Sequence, residues 1–369
     1  MSMYIRGPLE ERAWACQESY CAVRLIRFTD TEVKWRCNTA AGCECHGGFN
    51  TQVEKQLQIA DDKDTIFEQW RQVSIEFAGR SLTYHSDRLP ALAGIASRFH
   101  ARLESNYIAG LWQTELPFNL KWYREELTNL PTDTPLIPPA MNNGVPSWSW
   151  ASNFGKCRWL WKNNLEGQET ELEQHSLVDV VQIDCVPSAA NAFGEVRSGS
   201  FIELHGRVVQ VTMESDDFGR ASVSRTGFKA QVVIMDSRTT PATDLDSEGQ
   251  CGHMKRAATR ASTELGNGVD ATMGASKRYL GTAFCLLLCS GTSQGKTQVC
   301  VLVLGETRVA GKLCYQRLGI GYGRLRDWSG PLYHKRKKWS LWQGWENLEQ
   351  WTDWEAWFAD ADTRTLRII

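Results

Sequence analysis

The chain carries almost no net charge: 41 Lys and Arg stand against 43 Asp and Glu, a formal −2 at pH 7. That balance supplies no overall pull toward nucleic acid or an anionic membrane surface, so nucleic acid and membrane are not expected partners. The first residues lack the apolar core of a secretory signal. No apolar run is long enough to cross a bilayer; the best, Ala283 to Cys289, stops at Ser290-Gly291. Three catalytic signatures are missing too: Gly-x-Ser-x-Gly, His-Glu-x-x-His, and Gly-x-Gly-x-x-Gly after a strand. Serine-hydrolase, metalloprotease and dinucleotide readings therefore have no direct support, and no cofactor is expected.

What is present is a surplus of tryptophan and cysteine, 16 and 12 in 369 residues. Nothing directs the cysteines to an oxidising compartment, so they read as reduced thiols of a cytoplasmic protein. The length predicts two units.

The pattern along the chain changes period once. Pro8 to Tyr20 reads as a helix, with Glu10 and Glu11 in its first turn and a stripe of Leu9, Ala13, Cys16 and Tyr20. With little chain before it, the helix is expected to dock on the strands of residues 28–35 or on the helix of residues 66–77. Cys21 to Cys37 reads as a strand pair around Thr29-Asp30-Thr31, and Ala41 to Asn50 as a Gly- and Cys-rich loop. Asp64 to Gly79 predicts a helix burying Ile66, Trp70, Val73 and Phe77; a second starts at Ser86 with Asp87 as N-cap. Beyond the Pro-rich residues 131–146 the period turns toward alternation. Strands are expected at residues 178–186, 201–213, 228–235, 282–289, 298–304, 313–320 and 365–369. Asp236 to Lys277 contains no Phe, Trp, Tyr or Ile and reads as a disordered insertion. The fold class expected is α+β, helical first and mainly antiparallel β after.

Several blocks together resemble the fungal heterokaryon-incompatibility family: Arg12-x-Trp14-x-x-Gln17-Glu18, Asp87-Arg88-Leu89-Pro90, Tyr107-Ile108-Ala109-Gly110-Leu111-Trp112 and Pro146-Ser147-Trp148-Ser149-Trp150. The resemblance implies residues 1–50 as the last part of the family's domain, 51–130 as a helical connector, 131–146 as a linker and 147–369 as the β-rich region. The family's opening strands are not found, which resembles a truncated paralogue or an incomplete gene model. By this resemblance the function is non-self recognition and programmed cell-death signalling through protein contacts. Remote likeness of such domains to nucleotide-cleaving ones makes Glu18 the carboxylate for an alternative NAD-hydrolase reading. A non-functional gene fragment is the third reading.

Other constellations have plainer explanations. Cys37, Cys43, Cys45 and His46 offer four soft ligands, but not at zinc-knuckle spacing, so ordinary thiols are the expectation. Ser290 to Thr297 nearly mimics a phosphate loop, yet valines at strand spacing follow it, which reads as a hairpin. Trp148 and Trp150, two apart, are expected on one face of a strand. The tryptophans from Trp339 to Trp357 sit at helical spacing and read as docking aromatics, and His334 to Lys338 as a solvated basic run.

Overall fold

The computed structural model describes residues 9–369 except 10, 30–31, 38, 45, 51–58, 125–143, 154, 161–172, 216–220, 226–227, 233, 236–278, 294–295 and 325–356. The 236–277 segment, the 334–338 run and Trp339 to Trp354 lie outside the described residues, and nearly all of the 131–146 linker does too.

The chain opens with α1 (Ala13–Cys21), then β1 (Arg24–Phe28), β2 (Val33–Cys37), β3 (Ala41–Cys43) and β4 (His46–Asn50). These four strands pair in chain order. Next comes α2 (Lys63–Ala78), whose Asp62 side chain caps it by accepting from the Thr65 amide at 2.8 Å. Two 3₁₀ turns, His85–Arg88 and Pro90–Leu92, lead into α3 (Ala93–Leu103). Two small antiparallel pairs follow: the hairpin of β5 (Tyr107–Ile108) with β6 (Leu111–Trp112), and β7 (Trp122–Arg124) with the distant β8 (Cys157–Trp159).

The remaining strands build one sheet. They are β9 (Glu173–Ser176), β10 (Val178–Asp184), β11 (Phe201–Ser215), β12 (Ala221–Arg225), β13 (Phe228–Val232), β14 (Ile234–Met235), β15 (Tyr279–Ser293), β16 (Lys296–Val309), β17 (Lys312–Arg324) and β18 (Asp362–Ile368). The order is β13-β12-β11-β18-β17-β16-β15-β9, with β10 on β11 and β14 on β17. A further pairing of β11 with β15 closes β11, β18, β17, β16 and β15 into a ring. The architecture is α+β with a mainly antiparallel sheet, as the change of period implied.

The apolar run from Ala283 to Cys289 is buried on both faces of this sheet. Phe284, Leu286 and Leu288 join one hydrophobic cluster, while Ala283, Cys285 and Leu287 join another. Leu302 and Leu304 divide from Val301 and Val303 in the same way. Alternate side chains point to opposite faces, so an unbroken apolar run marks a strand covered twice. The first cluster extends from Ala13 through α2, α3 and Trp148 to Ile368, so the helices and the sheet share one core.

Several sequence expectations change. The first helix begins at Ala13 rather than Pro8, and Leu9 is 59 % exposed, outside the buried stripe. The backbone of Glu11 and Ala13 is instead held by Ser81, in hydrogen bonds of 2.6 and 3.0 Å. The helix packs on α2 and, more extensively, on α3 and the Pro90–Leu92 turn. Asp87 lies inside a 3₁₀ turn and does not cap α3. Ala41 to Asn50 is the β3–β4 hairpin, not a loop. Trp148 and Trp150 sit in a tight turn that runs into a 3₁₀ helix at Trp150–Ser152, not in a strand. The phosphate-loop mimic, by contrast, is the hairpin that the valines after it implied, with Ser293 opposite Lys296.

Candidate functional site

The motif on α1 works at a distance. Arg12 is exposed at the N-cap position. Trp14, 40 % exposed, donates its indole N–H to Asp87 Oδ2 at 3.1 Å. Gln17 Oε1 accepts from the Gly94 amide at 2.8 Å. That amide is among the N–H groups a helix leaves unsatisfied at its start, and Leu92 at the N-cap of α3 offers no side-chain acceptor. Gln17 therefore caps α3 from a neighbouring helix. Glu18 is exposed on α1. The motif brings Trp14 to Asp87 and Gln17 to α3, which is structural work.

The other motif residues meet around one turn. Gly110 has φ +92°, and its carbonyl accepts from both Trp70 Nε1 and Trp150 Nε1 at 2.9 Å. Ser149 Oγ donates to the Ala109 carbonyl and accepts from the Ala151 amide at 3.0 Å. Arg88 is buried with its guanidinium 5.6 Å from the Trp150 ring centroid, and donates to the carbonyls of Ala78 and Gly155 at 3.3 Å. Burial lowers its pKa to about 10. Trp148 is fully buried and its carbonyl accepts from Trp122 Nε1 at 2.9 Å. Neither tryptophan faces solvent, so neither forms a stacking platform for a ligand.

The same stretch fastens the sheet. Ser147 Oγ accepts from the Arg317 amide at 2.9 Å and donates to the Ile369 carbonyl. Arg317 is fully buried, stacks 3.7 Å from the centroid of Trp122, and donates to the carbonyls of Leu120 and Trp122. An arginine head is suited to this because its flat face stacks while its edge donates.

The cysteine set is divided by strand register. Cys43 lies opposite Lys34, and the regular β2–β3 pairing runs on through Trp35 and Arg36. Cys37 is three residues beyond Lys34, about 10 Å along the strand and on the opposite face. Cys43 and His46 are paired across the β3–β4 hairpin, and Cys45 lies outside the described residues. Among the described residues no group of three or more His, Cys, Asp or Glu is placed to hold a metal ion.

Two surfaces have no counterpart in the sequence pattern. One is the outer face of the four-stranded sheet. Ile26 pairs with Trp35 and Phe28 with Val33, so these four share a face. The opposite face turns to α1, where Arg27 and Arg36 both hydrogen-bond Ser19. Ile26 is left 64 % and Phe28 83 % exposed. The second is a groove of about 570 Å³ between the end of α3, the β5–β6 hairpin and β10. His100, Tyr107 and Phe193 line it; Phe193 stands edge-on to the other two rings at 5.4 and 5.6 Å. His100 Nδ1 is 3.0 Å from the Ser105 carbonyl, and Asn106 Nδ2 donates to Gln113 Oε1 at 2.9 Å. The Cys185 thiol at its edge is raised to about 12, chiefly by burial. No short-range signal marks either surface, since both depend on which strands lie beside one another.

No helix among the described residues is long and apolar enough to cross a membrane. Comparison of the chain with protein-family models, curated proteins and solved structures finds no match.

Proposed function

We propose that this chain acts in heterokaryon-incompatibility-type non-self recognition and cell-death signalling, through contacts with other proteins. The observation that carries the reading is the outer face of β1 and β2. Ile26 and Phe28 stand in water on a sheet whose other face is already used. Exposed apolar side chains grouped on one face mark interaction surfaces, whereas scattered ones need no explanation. The family-like motifs support the same reading from the other side. Trp14 and Gln17 are spent on joining α1 to the helical turns beside it, and Ser147, Trp148 and Trp150 on fastening the turns and the sheet, which makes a rigid scaffold rather than a reaction centre.

The test is expression in a filamentous fungus with a cell-death readout. Ile26→Asp with Phe28→Asp should abolish killing and partner capture while circular dichroism stays unchanged. Glu18→Gln should leave killing intact. A folded double variant that kills like the parent overturns the reading. NAD turnover that disappears in Glu18→Gln transfers the function to the hydrolase alternative.

A further inference from the structure

We propose that the groove along β10 is a docking site for a short extended peptide of a partner protein, with an apolar anchor beside a Lys or Arg. It shares no residue with the β1 face and does not depend on it.

The first observation is the state of β10. Among the described residues it pairs with β11 alone, so its other edge carries main-chain N–H and C=O groups with no strand opposite. Such an edge is a template for adding a strand, and proteins that do not use it usually blunt it with charge or proline. Here Asp184 and Pro187 stand at one end of the edge, while its middle is apolar. Val180 and Gln182 pair with Leu204 and Glu203, which are consecutive, so Val181 is an extra residue pushed out of the ladder. It is 55 % exposed, beside Val180 at 37 % and Val186 at 42 %. All three valines line the groove. Phe193 and Tyr107 supply aromatic surface within it, wide enough for one apolar side chain.

The second observation is charge. Among the described residues Asp184 lines the groove, and no Lys or Arg does. It is exposed. Among the described residues a bound segment meets one carboxylate and no Lys or Arg, with His100 the one other titratable nitrogen base, which favours a basic residue next to the anchor over an acidic one. The open shape and the unpaired edge favour an extended chain over a small enclosed ligand.

The probe is a fluorescein-labelled Gly-Lys-Phe-Lys-Val-Lys-Gly peptide, titrated with the full chain and followed by anisotropy. Its counterpart has Glu for each Lys. Saturable binding of the basic peptide is expected, about tenfold weaker in Val181→Asp and in Asp184→Lys. Both positions are exposed, and the thermal melt of each variant reports whether it folds. Asp184→Lys should also bind the acidic peptide more tightly than the parent does, a gain that misfolding cannot produce. The proposal is overturned by equal affinity of the parent for both peptides, or by no saturation below about 1 mM. A concentration-dependent dimer in light scattering, abolished by Val181→Asp, also overturns it and assigns the groove to a second copy of the chain.

Discussion

Trp70 and Trp150 donate their indole N–H groups to the same acceptor, the Gly110 carbonyl, each at 2.9 Å. A carbonyl oxygen has two lone pairs, so this one is fully used. One indole comes from α2 and the other from the segment before β8. Trp70 also meets Phe99, Tyr107 and Trp112 edge-on, with centroids 5.2 to 5.8 Å apart. The β5–β6 turn is therefore the point at which three separate stretches of chain are registered against one another.

Gly110→Ala should consequently be among the most damaging small substitutions. The residue has φ +92°, and a Cβ there would lie 2.8 Å from Trp150 Nε1. Backbone strain and loss of the shared acceptor together predict about 3 kcal/mol of destabilisation. Urea unfolding should show a much lower midpoint with an unchanged slope.

Gln17→Ala should cost about 1 kcal/mol by uncapping α3, with no change in the buried core. Gln17→Glu, which keeps an acceptor, should recover most of it. Gly94→Ala should also destabilise, because a Cβ there would stand 3.0 Å from the Gln17 amide. Combining Gln17→Ala with Gly94→Ala should cost less than the sum of the two.

Arg317→Met should destabilise by about 3 kcal/mol, since it leaves the Leu120 and Trp122 carbonyls buried without their donor. Arg317→Lys should restore little stability, because an ammonium lacks the flat face that stacks on Trp122 and the rigid edge that spans both carbonyls. The shift in melting temperature reads both.

Alkaline pH should weaken the fold through its buried thiols. Cys285 and Cys185 are both pushed up to about 12 from an ordinary 9, chiefly by burial. A raised folded value means that their contribution is complete below pH 9. It is lost as pH climbs from 9 toward 12, where the unfolded chain ionises first. Within that window each thiol lowers the folding equilibrium constant roughly tenfold per pH unit. Cys285→Ala should make the decline shallower when denaturation midpoints are compared between pH 8 and about 11.

The helices and strands that could be read in the sequence are those whose burial is local and periodic. The α2 stripe of Ile66, Trp70, Val73 and Phe77 is buried throughout, because a strong period of about 3.6 leaves one solution. The runs in β15 and β16 were recognisable as strands from their branched and apolar residues. The β3–β4 hairpin is hidden in the sequence because Gly42, Gly47 and Gly48 read as a loop. In the structure the Trp35 side chain lies over Gly42, where a Cβ would come within 2.9 Å of Nε1. The start of α1 was misplaced because Glu11 and Ala13 answer to Ser81, a partner no local pattern displays. The motif on α1 was visible, but its task was not: Trp14 and Asp87 are 73 positions apart, and Gln17 and Gly94 are 77. The groove was invisible for the same reason, since β10 becomes an edge only once β11 has chosen its other neighbours.

Ser147 and Ile369 are hydrogen-bonded across 222 positions of chain, and the strand ending just before Ile369 is one of the two that join β11 to the rest of the ring. During synthesis, β11 leaves the ribosome long before β18 exists. The helical layer, whose residues all precede β11, can settle first, while the sheet waits with an apolar flank uncovered. Closing so many distant pairings at once is slow, and a waiting flank is prone to stick to its neighbours. The yield of active protein should therefore depend on chaperone supply and on growth temperature more steeply than the stability of the finished fold would suggest.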